Sequence, residues 1–181
     1  SGICELCPDV TIKSYTGPGT PLQTGFLIPN SIPSVCGSVK ACPATDPGTW
    51  PAESFTFRNG PADACITVNV GHQHPTKALV AAAYLGSFDP AGGKCINYLA
   101  DAGYYVNASH PSQAFSFNVS ANAVFLVNVV SDSGGLPYTL TLSGGNCRPV
   151  LNVTRTGSSN LELDWTTAAP GYHLEGTNVL N

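Results

Sequence analysis

Two imidazoles two residues apart, His72-Gln73-His74, form the pair in this sequence best suited to hold a metal or pass a proton, because residues i and i+2 of an extended segment project to the same side. Metal ligation would need a third His, Asp or Glu, and none stands nearby in the chain. A polar connection between two strands is therefore the preferred reading. His110 and His173 stand singly, in turn-like and strand-like contexts, and are read as structural or exposed. A serine nucleophile needs a base and an orienting acid and is often announced by Gly-x-Ser-x-Gly, a motif this chain lacks. The 11 carboxylates are scattered. Glu53, Asp63, Asp89, Asp101 and Asp132 fall mostly in turns, where Asp is favoured for backbone reasons. Nothing pairs them as a glycosidase requires, and no Asp-rich repeat makes a calcium loop of Asp89, Asp101 or Asp132. No catalytic residue, metal or cofactor is expected, and the chain is read as a non-enzyme.

The seven cysteines are Cys4, Cys7, Cys36, Cys42, Cys65, Cys95 and Cys147. Cys4-x-x-Cys7 and Cys36 to Cys42 invite a zinc reading, but tetrahedral sites use two tight knuckles and the second pair here spans five intervening residues. Disulfides account for them better, and with them an oxidising compartment. Cys36 to Cys42 is the expected local bridge, across Gly37; spacing fixes no other pairing. Seven is odd, so one thiol is free or bonded to another chain. The sequons Asn107-Ala-Ser109, Asn118-Val-Ser120 and Asn152-Val-Thr154 are glycan acceptors if the chain is secreted. Asn118 and Asn152 each alternate with apolar neighbours, which puts both on the solvent phase of a strand.

Composition narrows the partners. Charged residues make up 10% of the 181, with a net charge of −4, against roughly a quarter in an average domain. The seven Lys and Arg are spread along the chain, without the clustering that neutralises a phosphate backbone, so nucleic acid is not an expected partner. The longest apolar candidate, Ala78 to Leu85, is far short of the roughly 18 to 20 residues that cross a bilayer. The chain starts at Ser1 with no cationic-then-apolar leader, and the cysteines favour a signal peptide already removed.

These residues must be positioned by strands. Period-2 alternation marks Val10 to Tyr15, Thr24 to Ile28, Phe55 to Arg58, Cys65 to Val70, Ala114 to Val119, Val124 to Val130 and Tyr138 to Leu142. Gly- and Pro-rich separators (GPGTP, DPGTWP, NGPAD, DPAGG, SDSGGLP) lie between them. Short strands with tight connections predict an all-β fold, an antiparallel β-sandwich of jelly-roll type. Thr76 to Leu85 carries an N-cap and an alanine run that would suit a helix. It is read as a strand because no other segment has a helical period.

Residues 1–147 are expected to form the disulfide-containing sandwich and residues 148–181 a three-strand β-meander extension: Val150 to Arg155, Asn160 to Thr166 and Gly171 to Thr177. Thr156-Gly157-Ser158-Ser159 turns the first into the second. Leu151, Val153, Leu161, Leu163, Trp165, Tyr172 and Leu174 would give it an apolar face. Three such strands alone are marginal, so the extension needs a partner, either a neighbouring subunit or the sandwich itself.

The stretches VTIKSYTGPGTPLQTGFLIPNSIPSVCGSVKACP, FTFRNGPADACITVNV, AAAYLGSFDPAGGKCINYLADAG and FSFNVSANAVFLVNVVSDSGGLPYTLTLSG resemble the pre-peptidase C-terminal-like β-sandwich modules of secreted bacterial proteins, over roughly residues 9–147. AAYLGSF and CINYLADAG are the more specific signatures. The resemblance implies a usually non-catalytic module of extracellular, repetitive proteins, complete by Cys147. The tail, with Leu-x-Leu-x-Trp followed by Gly-Tyr-x-Leu-Glu, resembles the opening strands of an immunoglobulin- or fibronectin-like module.

The function expected first is a structural subunit on the cell surface. Its extension would add strands to the sandwich of the next copy, head to tail, and so build a filament. The alternative is a binding or spacer module of a larger secreted hydrolase or adhesin.

Overall fold

The computed structural model describes residues 9–72 and 74–145 in full and the backbone of 4–5, 151–155 and 161–165. The described residues form strands and no helix: β1 (Cys4–Glu5), β2 (Val10–Thr16), β3 (Leu22–Leu27), β4 (Thr45–Arg58), β5 (Ala64–Gly71), β6 (Leu79–Leu85), β7 (Tyr98–Asp101), β8 (Ser112–Val119), β9 (Val124–Ser131), β10 (Leu136–Ser143), β11 (Leu151–Arg155) and β12 (Leu161–Trp165). One sheet has the order β1-β4-β9-β6-β7, with β3 also on β4, and the second is β2-β10-β5-β8. Every pairing is antiparallel except the short β1–β4 contact. The sandwich expected from the alternation is the fold.

Alternation builds its core directly. Ile66, Val68 and Val70 of β5, Phe115 and Phe117 of β8, and Leu140 and Leu142 of β10 point inward from the second sheet. They meet Phe57 of β4, Phe125, Val127 and Val129 of β9 and Leu79, Ala81 and Ala83 of β6. Phe125 stacks on Phe57 at 5.5 Å between centroids and takes Phe117 edge-on at 5.5 Å. Each fully buried large side chain contributes about 1.5–3 kcal/mol relative to exposure. At the margin of this core Glu53 of β4 crosses between sheets, accepting from Ser14 Oγ at 2.9 Å and Tyr138 Oη at 2.6 Å.

β6 is buried on both faces from Leu79 to Tyr84. Its second face, Val80, Ala82 and Tyr84, lies under a layer laid across the outside of the first sheet: Leu27 covers Ala82 and Tyr84, while Phe26 and Trp50 pack with Val80, Ala52 and Val130. A strand covered twice needs no polar face, which is why this run lacks alternation and resembles a helix locally.

β4 is 14 residues long and includes the DPGTWP stretch read above as a separator. The first half pairs with β3, and there Thr24 faces Thr49 while Phe26 faces Asp46. β4 thus carries one extra residue at a bulge holding Pro47 and Gly48, a place where a missing N–H does no harm to a ladder. Gly25 sits opposite with φ +79°, and a Cβ there would lie 2.8 Å from the Asp46 carbonyl oxygen. β7 was also missed; it is four residues long and joins β6 through a register shift.

The Cys36–Cys42 bridge is corrected. Cys36 is bonded to Cys65 and Cys42 to Cys95, with Cα separations of 5.9 and 5.6 Å. The reason is that residues 28–44 do not loop locally but stretch over the molecule. At Ser34–Cys36 this segment docks on the edge of β8, Ser116 N donating to Ser34 O (2.9 Å) and Cys36 N to Ser116 Oγ (3.1 Å). Cys42 joins the 86–97 connection, packing with Phe88 and Tyr98 against Tyr84. The two thiols therefore tie one strap at two different places. The side chains of Cys4, Cys7 and Cys147 lie outside the described residues.

Candidate functional site

His72, one residue beyond β5, continues the buried phase of Ile66, Val68 and Val70 and is only 5% exposed. Its Nε2–H donates to Val106 O and its Nδ1 accepts from His74 N at 3.0 Å. Both ring nitrogens are thus occupied, and this imidazole serves as a clamp rather than a ligand or base. His74 Nδ1 accepts from Thr76 N at 3.3 Å, continuing the turn. Among the described residues no three His, Cys, Asp or Glu side chains gather as a metal site. His110 stacks on Tyr104 at 5.3 Å; His173 lies outside the described residues.

Several carboxylates have main-chain partners. Asp89, Asp63 and Asp132 accept backbone N–H groups of Ala91, Ala121 and Ala78. Asp101, at the end of β7, is buried and pairs with Lys40 Nζ at 2.7 Å. The same carboxylate accepts from Gly103 N (2.6 Å) and Tyr98 Oη. A main-chain bond from Ser34 N to Asp101 O (3.1 Å) and a bond from Asp101 N to the Ser34 hydroxyl Oγ (3.0 Å) complete a knot that fastens the strap to β7. Burial, then the hydrogen bond to Asp101 and its charge, raises the Tyr98 phenol far above its ordinary range. Gly103, at φ +70°, lets Ile32 and Pro33 pass where a Cβ would meet the Ile32 carbonyl carbon at 2.3 Å. Lys94 is a buried cation; its ammonium donates to Asp89 O, Pro90 O and Gly92 O and lies over the Phe88 ring at 5.0 Å.

Asn118 is exposed on β8, as its alternation required. Asn107 opens a tight turn in which its Oδ1 accepts from Ser109 N and His110 N, both at 3.0 Å. Asn152 is on β11 opposite Asp164, and its side chain is outside the described residues. In the extension, β11 and β12 pair antiparallel with Leu151 facing Trp165, Val153 facing Leu163 and Arg155 facing Leu161. Directly opposed residues share a face, so this register groups five of the predicted apolar positions on one side of a hairpin. Tyr172 and Leu174 lie outside the described residues. β2 has β10 as its one neighbour in the second sheet, whereas the other edge strand, β8, is capped by the strap.

The sequence reading missed a cleft of about 410 Å3 on the outer face of the first sheet, floored by Val80 and Val130. Phe26, Trp50 and Tyr105 line it, Phe26 meeting Trp50 at 5.3 Å and Tyr105 at 6.4 Å, both near edge-on. The Trp50 indole N–H donates to Asp46 Oδ1 at 3.2 Å, an oxygen that also accepts from Gly48 N at 2.7 Å. Asp132 and Asn107 complete its polar margin. Burial first, then the charges of Asp46 and Asp132, raises the Tyr105 phenol. The one hint in the sequence was aromatic residues placed inside Gly- and Pro-rich stretches, GTWP and AGYY.

No protein-family model matches the chain, and no curated protein matches it. No helix among the described residues is long and apolar enough to cross a membrane. The two disulfides fit an oxidising environment.

Proposed function

We propose that this chain is a non-catalytic structural subunit of an extracellular assembly, a surface filament built head to tail by β-strand addition. The donor is the extension at residues 148–181 and the acceptor is the sandwich of the next copy. The observation that carries the reading is a match of needs. The β11–β12 pair groups apolar positions on one face and, among the described residues, pairs with neither sheet, while among the same residues no strand lies on the outer edge of β2. Added strands gain main-chain bonds along such an edge and bury alternate side chains beside it. A donor and acceptor at different places on one subunit make a heterologous contact, which propagates unless its rotation closes a ring.

Secretion, bacterial origin and the pre-peptidase C-terminal-like character of residues 9–147 belong to the same proposal, as do glycans on Asn107, Asn118 and Asn152. The test compares the full chain with Trp165→Asp, both oxidised, by size-exclusion chromatography and negative-stain microscopy. Polymers from the full chain and monomers from the variant are expected. A full chain that stays monomeric at high concentration, or a variant that polymerises equally well, refutes it. The aromatic cleft favours a second reading, a binding module within a larger secreted protein.

A further inference from the structure

The cleft beside β3 combines two features that filament assembly does not use. Its walls are aromatic, contributed by three separate parts of the chain: Phe26 on β3, Trp50 on β4 and Tyr105 after β7. Its margin carries Asp46 and Asp132, and among the described residues neither has an ion-pair partner. Asp46 Oδ1 is held by two N–H donors, Gly48 N and Trp50 Nε1, while its Oδ2 accepts no hydrogen bond from the described residues. Asp132 is held by Ala78 N at 3.0 Å and Ser133 Oγ at 3.0 Å. All these donors are neutral, and none of the described lining residues is Lys, Arg or His, so the described lining offers no cation beside the two carboxylates.

Ring faces attract cations through their quadrupole, and carboxylates beside a low-dielectric wall add to that attraction. Both act in the same direction here. An anion would be repelled, and a bare metal ion would need converging oxygens that the described residues do not gather. The volume, about 410 Å3, is that of a small-molecule site. We propose that this cleft binds an organic ammonium cation, its charged head between the aromatic rings and the two aspartates.

The site lies on the outer face of the first sheet and the open β2 edge on the second sheet, so this inference and the filament proposal fail or succeed separately. The full-length protein would be titrated calorimetrically with choline, with its uncharged isostere 3,3-dimethylbutanol, and with Nα-acetyl-lysine methylamide as the peptide source of an ammonium. Choline or the lysine derivative should bind, whichever is tighter naming the source, and the alcohol should bind roughly tenfold more weakly or not at all. Asp46→Asn keeps an acceptor for Gly48 and Trp50 and should lower cation affinity roughly tenfold without changing the melting temperature. Equal binding of the alcohol, undiminished binding to Asp46→Asn, tighter binding of a neutral disaccharide, or no binding of either cation overturns the proposal.

Discussion

Removing the strap's disulfides in pairs separates long-range from local bonding. Cys36–Cys65 closes a separation of 29 residues and Cys42–Cys95 one of 53. Loop-closure entropy in the unfolded chain then gives about 3.6 and about 4.2 kcal/mol of stabilisation. A bridge from Cys36 to Cys42 would close six residues (42 minus 36) and give only about 2.2 kcal/mol. For a chain of this size each kcal/mol moves the melting temperature by roughly 2–4 °C. Cys36→Ala/Cys65→Ala should therefore melt roughly 7–14 °C lower than the parent. Cys36→Ala/Cys42→Ala breaks both long bridges and should lose more than either matched pair. The loss should be less than the sum of the two, because the closed loops overlap between residues 42 and 65. Calorimetry of these two variants and of Cys42→Ala/Cys95→Ala, with peptide mapping of non-reducing digests, reads this out. If Cys36→Ala/Cys42→Ala is the mildest, shifting by roughly 4–9 °C, the local bridge is the true one and the strap's course is wrong.

Two further predictions follow from the polar ties. Lys40→Met leaves the buried Asp101 carboxylate without its cation and should cost about 3–5 kcal/mol in urea unfolding; adding Asp101→Asn should recover part of it, and a loss below about 1 kcal/mol would show the pair to be a surface-like contact. The Tyr84 and Tyr138 phenols are raised far above 10, both chiefly by burial. The unfolded chain therefore releases their protons first, and stability present below about pH 10 should fall above it, by up to about 1.4 kcal/mol per pH unit for each phenol. Melting temperatures across the alkaline range should drop less steeply in Tyr138→Phe; an unchanged slope would refute the assignment.

How legible each part was depends on how many surfaces a residue faces. β5 and β8 put one face on the core and the other in water, so period 2 marks them to within a residue or two of their ends. β6 has no wet face, and its strand identity rested on context rather than pattern. The first half of β4 holds Pro47 and Pro51, which deny a strand locally and are accommodated only because β3 supplies a bulged partner. The disulfide pairing was illegible for a related reason. Six residues of spacing say nothing about a strap pulled straight across a sheet. His72 reads in the sequence as part of a polar connection, and its clamp role depends on Val106 O, 34 residues away, which accepts a hydrogen bond from its Nε2–H. Phe26, Trp50 and Tyr105 follow no common spacing, since only the closed fold brings them to one cleft.

The strap also bears on where a partner can attach. Together with β3 it covers the Ala82 and Tyr84 part of the outer face of the first sheet, and at Ser34–Cys36 it occupies part of the edge of β8. An edge protected in this way resists unwanted strand pairing, a hazard that sheet proteins manage with covers, charges and bulges. Among the described residues no segment covers the β2 edge; its outward positions carry Thr11, Lys13 and exposed Tyr15, and a single lysine discourages indiscriminate pairing without blocking a specific partner. If the strap were only a brace, loosening it would lower stability and leave the proposed assembly on β2 untouched. If it also guards β8, loosening it would open a second acceptor and turn an ordered polymer into a branched one. Cys36→Ala/Cys65→Ala releases the strap at that edge, so micrographs of its polymers, taken well below its melting temperature, distinguish the two: unbranched filaments assign the acceptor to β2 alone, and branching assigns a guarding role to the Ser34–Cys36 contact.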